Sequence, residues 1–467
     1  MDSMKKYLLN SWQRPGGYAE ILKLAFPLIL STGSITIQHF VDRIFLAWYS
    51  PEAIAAAMPA GIISYNFMSL FIGTATYVNT FVAQYTGADR PKRIGPVVWQ
   101  GVYFSIFAGL LILPLYAAAP MIFKLAGHAP EVAILEEQYF KIMIFSGFPV
   151  TASSAMAAFF SGRGKTWVVM WVTFASTLVN IILDYCLIFG RLGFPEMGIE
   201  GAALATVISQ FVRLAIYFVL ILKPVYRIRF DTLHGYKPDR DLLARLVRFG
   251  LPNGIHYFLE VMGWTFLILL IGRYGTMPLA ASNITFNINH LAFMPMIGLG
   301  MALTILVGQR LGHDQPELAE KSTWSTVRLM MLYMGIIAAG YLFIPRVFLW
   351  PYSLKSDPEQ FAPILDMAVH FLKFAAIYSI FDGMNIIFAA AVKGAGDTRF
   401  VMIVSVVLSW ILMVIPSYLL SVVYNRSVYY IWSSATLYLF ILGFVFLLRF
   451  LGGKWKTMRV IEQKEVI

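Results

Sequence analysis

V-A-Q-Y-T-G-A-D-R-P at Val82–Pro91 is answered by V-G-Q-R-L-G-H-D-Q-P at Val307–Pro316. Gln84 pairs with Gln309, Gly87 with Gly312, Asp89 with Asp314 and Pro91 with Pro316, each at an offset of 225 (309 − 84). The same offset pairs Pro27 with Pro252, Tyr49 with Tyr274 and Gly73 with Gly298. An offset held over that length of chain marks an internal repeat. A second pair, S-G-R-G-K-T at Ser161–Thr166 and K-G-A-G-D-T at Lys393–Thr398, is offset by 232 (393 − 161). The second half therefore carries roughly seven extra residues between its anchors. Each anchor follows a long apolar run, so the chain reads as two copies of one membrane-embedded half.

Composition points the same way. Hydrophobic residues make up 59% of the chain and charged residues 13%, against about 45–50% and about 25% in soluble domains. Runs of about 20 apolar residues, long enough to cross a hydrocarbon core about 30 Å thick, recur throughout. In lipid such runs must be helical, because a helix satisfies its own backbone groups. Twelve spans lie between residues 18 and 452, six per half, the third over 96–124 and the ninth over 320–348. The expectation is an all-α membrane protein. A polar segment at 1–17 leads into a first lobe at 18–224. A link at 225–240 is followed by a second lobe at 241–452 and a tail at 453–467. The first segment lacks the apolar core of a cleavable signal, so the first span is read as the targeting signal. The single cysteine, Cys186, allows no disulfide within the chain and reads as a small core residue.

The net charge of +11 raises the question of nucleic acid, and its placement answers it. Twenty-four Lys and Arg near the span ends fall on one side, among them Lys5, Lys6, Arg14, Arg90, Arg93, Arg245, Arg310, Lys393 and Lys464. Six fall on the other: Lys124, Arg191, Arg273, Arg346, Lys355 and Arg426. Lys and Arg stay on the cytoplasmic side, so both termini are expected inside. The charge is a topology signal with a weak attraction for anionic membrane lipid, and no nucleic-acid partner is expected.

A few polar residues inside the spans carry the chemistry. Asp42, near the outer end of the first span, costs about 2.5–3.5 kcal/mol at mid-membrane on insertion scales, and such acids mark ion or proton paths. Arg43 follows it and either snorkels away or pairs with it. In V-N-I-I-L-D-Y-C, Asn180 and Asp184 are four apart, hence on one helical face. Thr206 belongs to a small-residue helix suited to close packing. Glu260 and Asp382 lie in different helices of the second half. If they converge, they can hold one Na⁺ between them or share one proton. Tyr257, Trp264 and Tyr378 flank them, and aromatic faces beside an acid suit an organic cation. Asn283 and Asn287 share a face in the eighth span. Pro27 and Pro252 sit at matching points of the first and seventh spans, where each can kink a moving helix. S-G-R-G-K-T resembles a phosphate loop but has Phe159 where the first glycine is needed, and both copies read as tight turns.

Pro27 with F-V-D at 40–42, V-A-Q-Y-T-G, P-N-G at 252–254, F-L-E-V at 258–261, V-G-Q-R-L-G, and F-D-G-M-N at 381–385 before K-G-A-G-D-T together resemble the multidrug and toxic compound extrusion (MATE) transporters, in their norfloxacin-resistance-like bacterial branch. The resemblance implies two six-helix lobes related by a pseudo-twofold axis along the membrane normal. It implies antiport of small organic cations against H⁺ or Na⁺, with no other cofactor, by a monomer in the bacterial inner membrane. It places Asp42, Glu260 and Asp382 on acidic positions of the family, and Asp184 with Asn180 on the variant whose first lobe carries the coupling site. Two other readings are a lipid-linked oligosaccharide flippase and a lipid-modifying membrane enzyme. The first calls for a basic cavity, which Lys141, Arg213, Arg328 and Lys373 are too scattered to build. The second calls for a catalytic motif, and neither H-E-x-x-H nor D-D-x-x-D is present.

Overall fold

The computed structural model describes Trp12, residues 14–353 and residues 358–462. Lys5, Lys6, Lys355 and Lys464, counted above, lie outside the described residues. Twelve helices among the described residues are long and apolar enough to cross a membrane. They are α1 (Tyr18–Tyr49), α2 (Pro51–Gly87), α3 (Pro91–Ile112), α4 (Pro130–Ser161), α5 (Thr166–Phe189), α6 (Gly198–Ile221), α7 (Arg240–Gly272), α8 (Thr276–Gly312), α9 (Pro316–Phe343), α10 (Phe361–Ala395), α11 (Thr398–Val423) and α12 (Val428–Leu451). No strand occurs among the described residues.

Prolines account for where several helices begin and end. Pro51, Pro91, Pro130 and Pro316 each stand at a first helical position, where the missing N–H costs nothing. Ser50 caps α2 by accepting from the Ala53 N–H at 3.0 Å. Two expected spans prove shorter. The run at 96–124 breaks after Ile112 before Pro114 and resumes as a short helix, Leu115–Ala126. The run at 320–348 stops at Phe343, and Pro345 opens another short helix, Pro345–Ser353. Ile344, before Pro345, is pushed out of the helical region (φ −133°, ψ 44°), whereas Leu113 stays helical and the first run is interrupted at Pro114, which has no N–H to continue the ladder. In α11, Ser409–Val414 and Leu419–Val423 are π-helical on either side of Pro416, and a widened turn is one way a helix passes a proline.

The sequence repeat is a repeat of helix ends. Asp89 and Asp314 are both left-handed, at φ 51° and 56°, a conformation that Asp tolerates better than most residues. Arg90 N–H donates to Tyr85 O at 3.0 Å, and Gln315 N–H to Arg310 O at 2.8 Å. The second anchor repeats likewise. Gly164 and Gly396 are left-handed, with Lys165 N–H on Phe160 O at 2.9 Å and Asp397 N–H on Val392 O at 3.0 Å. These six-to-one bonds close the helix ends in the manner of a Schellman cap. Arg163 lies over the rings of Phe159 (3.8 Å) and Phe230 (4.4 Å) and donates to Phe159 O at 2.6 Å. Burial pushes its guanidinium down to about 10. S-G-R-G-K-T is thus a turn pinned by its own arginine.

Two compact units result. One holds residues 26–258 and 460–467, and the other residues 1–25 and 259–459. The division falls inside α1 and α7, one residue before Pro27 and six after Pro252, whereas the link at 225–240 lies wholly within the first of these units. Within that unit α5 packs on α6, α3 on α4, and α2 on α4, around Phe81, Phe104, Phe123, Phe140, Phe159 and Phe160. Gly254 of α7 sits against Leu70 O and Thr74 of α2, and a Cβ added to Gly73 would meet Gly254 Cα at 2.9 Å. Lipid is as apolar as leucine, so such small-residue approach, rather than expulsion of water, holds these helices. In the other unit α8, α10 and α12 form a mutually packed group, with α9 on α8 and α10.

Candidate functional site

The first-half residues meet. Asn180 is fully buried on α5. With its amide turned to satisfy its neighbours, Nδ2 donates to Asp42 Oδ1 at 3.0 Å and to Asp184 Oδ2 at 3.2 Å. The other end of that amide lies 3.5 Å from Thr206 Oγ1 on α6. Asp184 is fully buried, and Asp42 keeps 16% of its side chain exposed. The two carboxyl groups also face each other within side-chain hydrogen-bond reach. Two carboxylates so placed cannot both ionise cheaply, so the pair calls for a proton or a cation between them. Asp184 Oδ1 is buried and makes no hydrogen bond.

Arg43 does not clamp Asp42. Its charge is felt at the carboxylate, but the ion-pair contact of Asp42 is with His39, at 4.0 Å and 61% exposed. Three participants escaped the sequence reading. Gln38 is buried, with its amide 3.5 Å from Thr177 Oγ1 and 3.2 Å from the Asn180 nitrogen, and Tyr139 of α4 lies within electrostatic reach of both acids. Gln38 stands four residues before Asp42, and Thr177 three before Asn180. The same spacing that paired Asn180 with Asp184 would have found both.

The second-half residues are brought together only in part. Asp382 Oδ1 accepts from Asn385 Nδ2 at 3.1 Å, and the Glu260 charge is felt at Asp382. Glu260 also faces the ammonium of Lys393, a residue that reads in sequence as part of a turn. Trp264 packs on Phe286, and Trp432 stacks between Phe286 (4.8 Å) and Phe371 (4.6 Å), with Tyr378 beyond at 6.5 Å. Tyr257 belongs to the other unit, where its hydroxyl meets that of Tyr65 on α2. Asn283 and Asn287 are exposed. The amide turned inward from the same run is Asn289, which donates to Tyr378 Oη at 3.1 Å and accepts from Ser379 Oγ at 3.3 Å. Ala281, Thr285 and Asn289, spaced by four, form the buried stripe of α8, so Asn283 and Asn287 lie off it.

The basic residues a flippase would need lie on four different helices. Lys141 pairs with Glu137 at 2.5 Å, Arg213 neighbours Tyr217 on α6, and Arg328 and Lys373 are exposed on α9 and α10.

With that geometry in place, similarity to known proteins is informative. The MatE family model matches residues 27–186 and 252–419, one block in each half. "Probable multidrug resistance protein NorM" of Brucella suis is 27% identical over 410 residues, covering 86% of this chain and 85% of the relative. The protein of the same name from Thermotoga maritima is 25% identical over 473 residues, covering 99% and 98%. Among solved structures, one described as the outward-facing conformation of a multidrug resistance MATE family transporter of the MOP superfamily superposes with a TM-score of 0.83 at 20% identity, over 97% of this chain and 99% of that one. At that identity the likeness speaks for the fold.

Proposed function

We propose that this chain, which belongs to the MatE family of multidrug efflux transporters, couples the inward movement of a proton to the export of an amphipathic organic cation. It is a multi-pass membrane transporter and not an enzyme. The observation that carries the coupling reading is the meeting of Asp42 and Asp184 on one buried amide, with no arginine or lysine ion pair to either acid among the described residues. A proton bridging the pair removes the charge that would otherwise hold a cationic substrate. A ligand shifts a conformational equilibrium only through its difference in affinity between states, and this pair supplies such a difference. The protein works as a monomer in a bacterial inner membrane with both ends cytoplasmic, as the Lys and Arg asymmetry favours.

A second reading puts Na⁺ between Glu260 and Asp382. Their mutual electrostatic reach within one unit favours it, and the Lys393 ammonium facing Glu260 weighs against it. The test is ethidium efflux from proteoliposomes under an imposed pH gradient or an imposed Na⁺ gradient, with Asp42→Asn, Asp184→Asn, Glu260→Gln and Asp382→Asn. Loss under the pH gradient in the first two supports proton coupling at Asp42 and Asp184. Loss under the Na⁺ gradient in the last two supports the second reading. Normal transport by all four would remove the charge mechanism altogether.

A further inference from the structure

The repeat motif at the end of α2 holds a ligand that its twin does not need. In the second half Arg310 pairs directly with Glu20, whose other oxygen accepts from Gly16 N–H at 2.8 Å. Shifting that pair by the repeat offset of 225 gives Tyr85 for Arg310 and Arg245 for Glu20. Neither is an acid, and Arg90 and Arg93 stand beside them. A carboxylate is missing there, and the end of the chain brings one. After α12 the chain is tied by Lys456 to Glu320 (2.6 Å) and by Arg459 to Asp314 (3.1 Å). Val460 and Ile461 then enter the apolar cluster that contains Phe81, Tyr85, Leu242 and Leu246. Val460 N–H donates to Gln84 Oε1 at 2.8 Å. Glu462 Oε2 accepts from Tyr85 Oη at 2.7 Å and Arg245 Nη1 at 2.6 Å, Oε1 accepts from Arg93 Nε at 3.1 Å, and the backbone carbonyl accepts from Arg90 Nη1 at 3.1 Å.

We infer that Tyr85, Arg90, Arg93 and Arg245 form a carboxylate-binding site whose ligand is the chain's own Glu462, and that seating this tail fastens the first turns of α7 to the end of α2. Asp239 and Asp241 pair with Arg93 and Arg245, yet three guanidinium groups against two acids leave one positive charge over, which Glu462 neutralises. The site binds a short segment ending in an acid, Val-Ile-Glu, and its donor set is complete only with that acid present.

The test is hydrogen exchange by mass spectrometry on the full chain in lipid nanodiscs, comparing wild type, Glu462→Gln, Glu462→Asp and Tyr85→Phe. Hydrogen bonds to charged groups are stronger than neutral ones, so Glu462→Gln is expected to speed exchange at 241–249 and 460–462 by about tenfold or more. Glu462→Asp should recover part of the protection, and Tyr85→Phe should give a smaller loss at the same peptides. Exchange in α9 should not change in any of them. A synthetic Val-Ile-Glu-Gln-Lys-Glu-Val-Ile peptide added to the Glu462→Gln chain should restore slow exchange at 241–249, and the same peptide with glutamine at its first acid should not. Unchanged exchange at 241–249 in both Glu462→Gln and Tyr85→Phe, or equal rescue by both peptides, would overturn the inference. The readout is independent of transport, so it stands or falls apart from the coupling proposal.

Discussion

Replacing Asp184 by asparagine is the sharpest perturbation of the first-half site. The side chain keeps its shape and loses its charge. Asn180 Nδ2 reaches one oxygen of each acid, at 3.0 and 3.2 Å, so those oxygens lie no more than about 6 Å apart. At that separation, and at an effective dielectric constant of about 20, two negative charges repel by about 3 kcal/mol. This repulsion is what a shared proton relieves, and it sets how strongly proton occupancy distinguishes the states of the site. Removing it forfeits about two orders of magnitude in that distinction, at about 1.4 kcal/mol per decade. Ethidium accumulation driven by a pH gradient in proteoliposomes should fall by about a hundredfold or more in Asp184→Asn, while ethidium binding in detergent persists. Asp42→Asn should fall similarly, and the double variant should be no worse than either, because two groups acting as one unit are not additive. Full gradient-driven transport in either single variant, or losses that multiply in the double, would refute the shared-proton argument.

Other consequences can be checked separately. Gly254→Ala drives a methyl group into Leu70 O and Thr74, and overpacking of this kind costs about 1–3 kcal/mol, visible as a lower Tm in detergent. Trp432 is 1% exposed between two stacked rings, and Trp432→Ala should cost about 3–5 kcal/mol in the same measurement. Burial alone would raise the Glu462 carboxyl, but the Tyr85 hydroxyl, a backbone hydrogen bond and the Arg245 and Arg93 guanidiniums outweigh it and hold the group at about 2. Its unfolded value is about 4.3, so the tail's electrostatic attachment is complete above about pH 5 and is lost as pH falls towards 2. Exchange at 460–462, corrected for the intrinsic rate at each pH, should stay flat from pH 8 to 5 and rise below about pH 4.

The helices and their ends were legible because two periodicities overlap in this chain. Apolar run length marked the spans, and the repeat offset marked the caps at Asp89 and Asp314, where identical backbone geometry preserved identical residues. The first-half site was legible for the same reason, since Asn180 and Asp184 sit one helical turn apart on a single helix. Asn283 and Asn287 share a face as well, but nothing in N-I-T-F-N-I-N-H says which face turns inward. That is decided by Tyr378 and Ser379, about 90 residues further on. Lys393 reads as a turn residue because its neighbours are glycines, and only the packing of α10 brings its ammonium into the field of Glu260. The sequence marks 453–467 only as a tail, because the site that receives Glu462 is assembled from the end of α2, the start of α3 and the start of α7.

Backbone and charge have diverged differently between the halves. The caps coincide at an offset of 225, but the acids do not: Asp42 matches Leu267, and Glu260 matches Ile35. At the second offset, 232, Asp382 matches Val150. The duplicated scaffold therefore carries two different arrangements of charge rather than one arrangement twice. In the first, two carboxyls meet on one amide with His39 at 4.0 Å from one of them and no Lys or Arg ion pair among the described residues, so a proton or a cation can balance them. In the second, a resident ammonium already faces one of the acids, so an arriving cation must compete with it. Under the coupling proposed above, the site whose charge changes during the cycle is the pair Asp42 and Asp184. The repeat thus keeps the backbone caps in common while the unbalanced acids lie in one half and the acid facing an ammonium lies in the other.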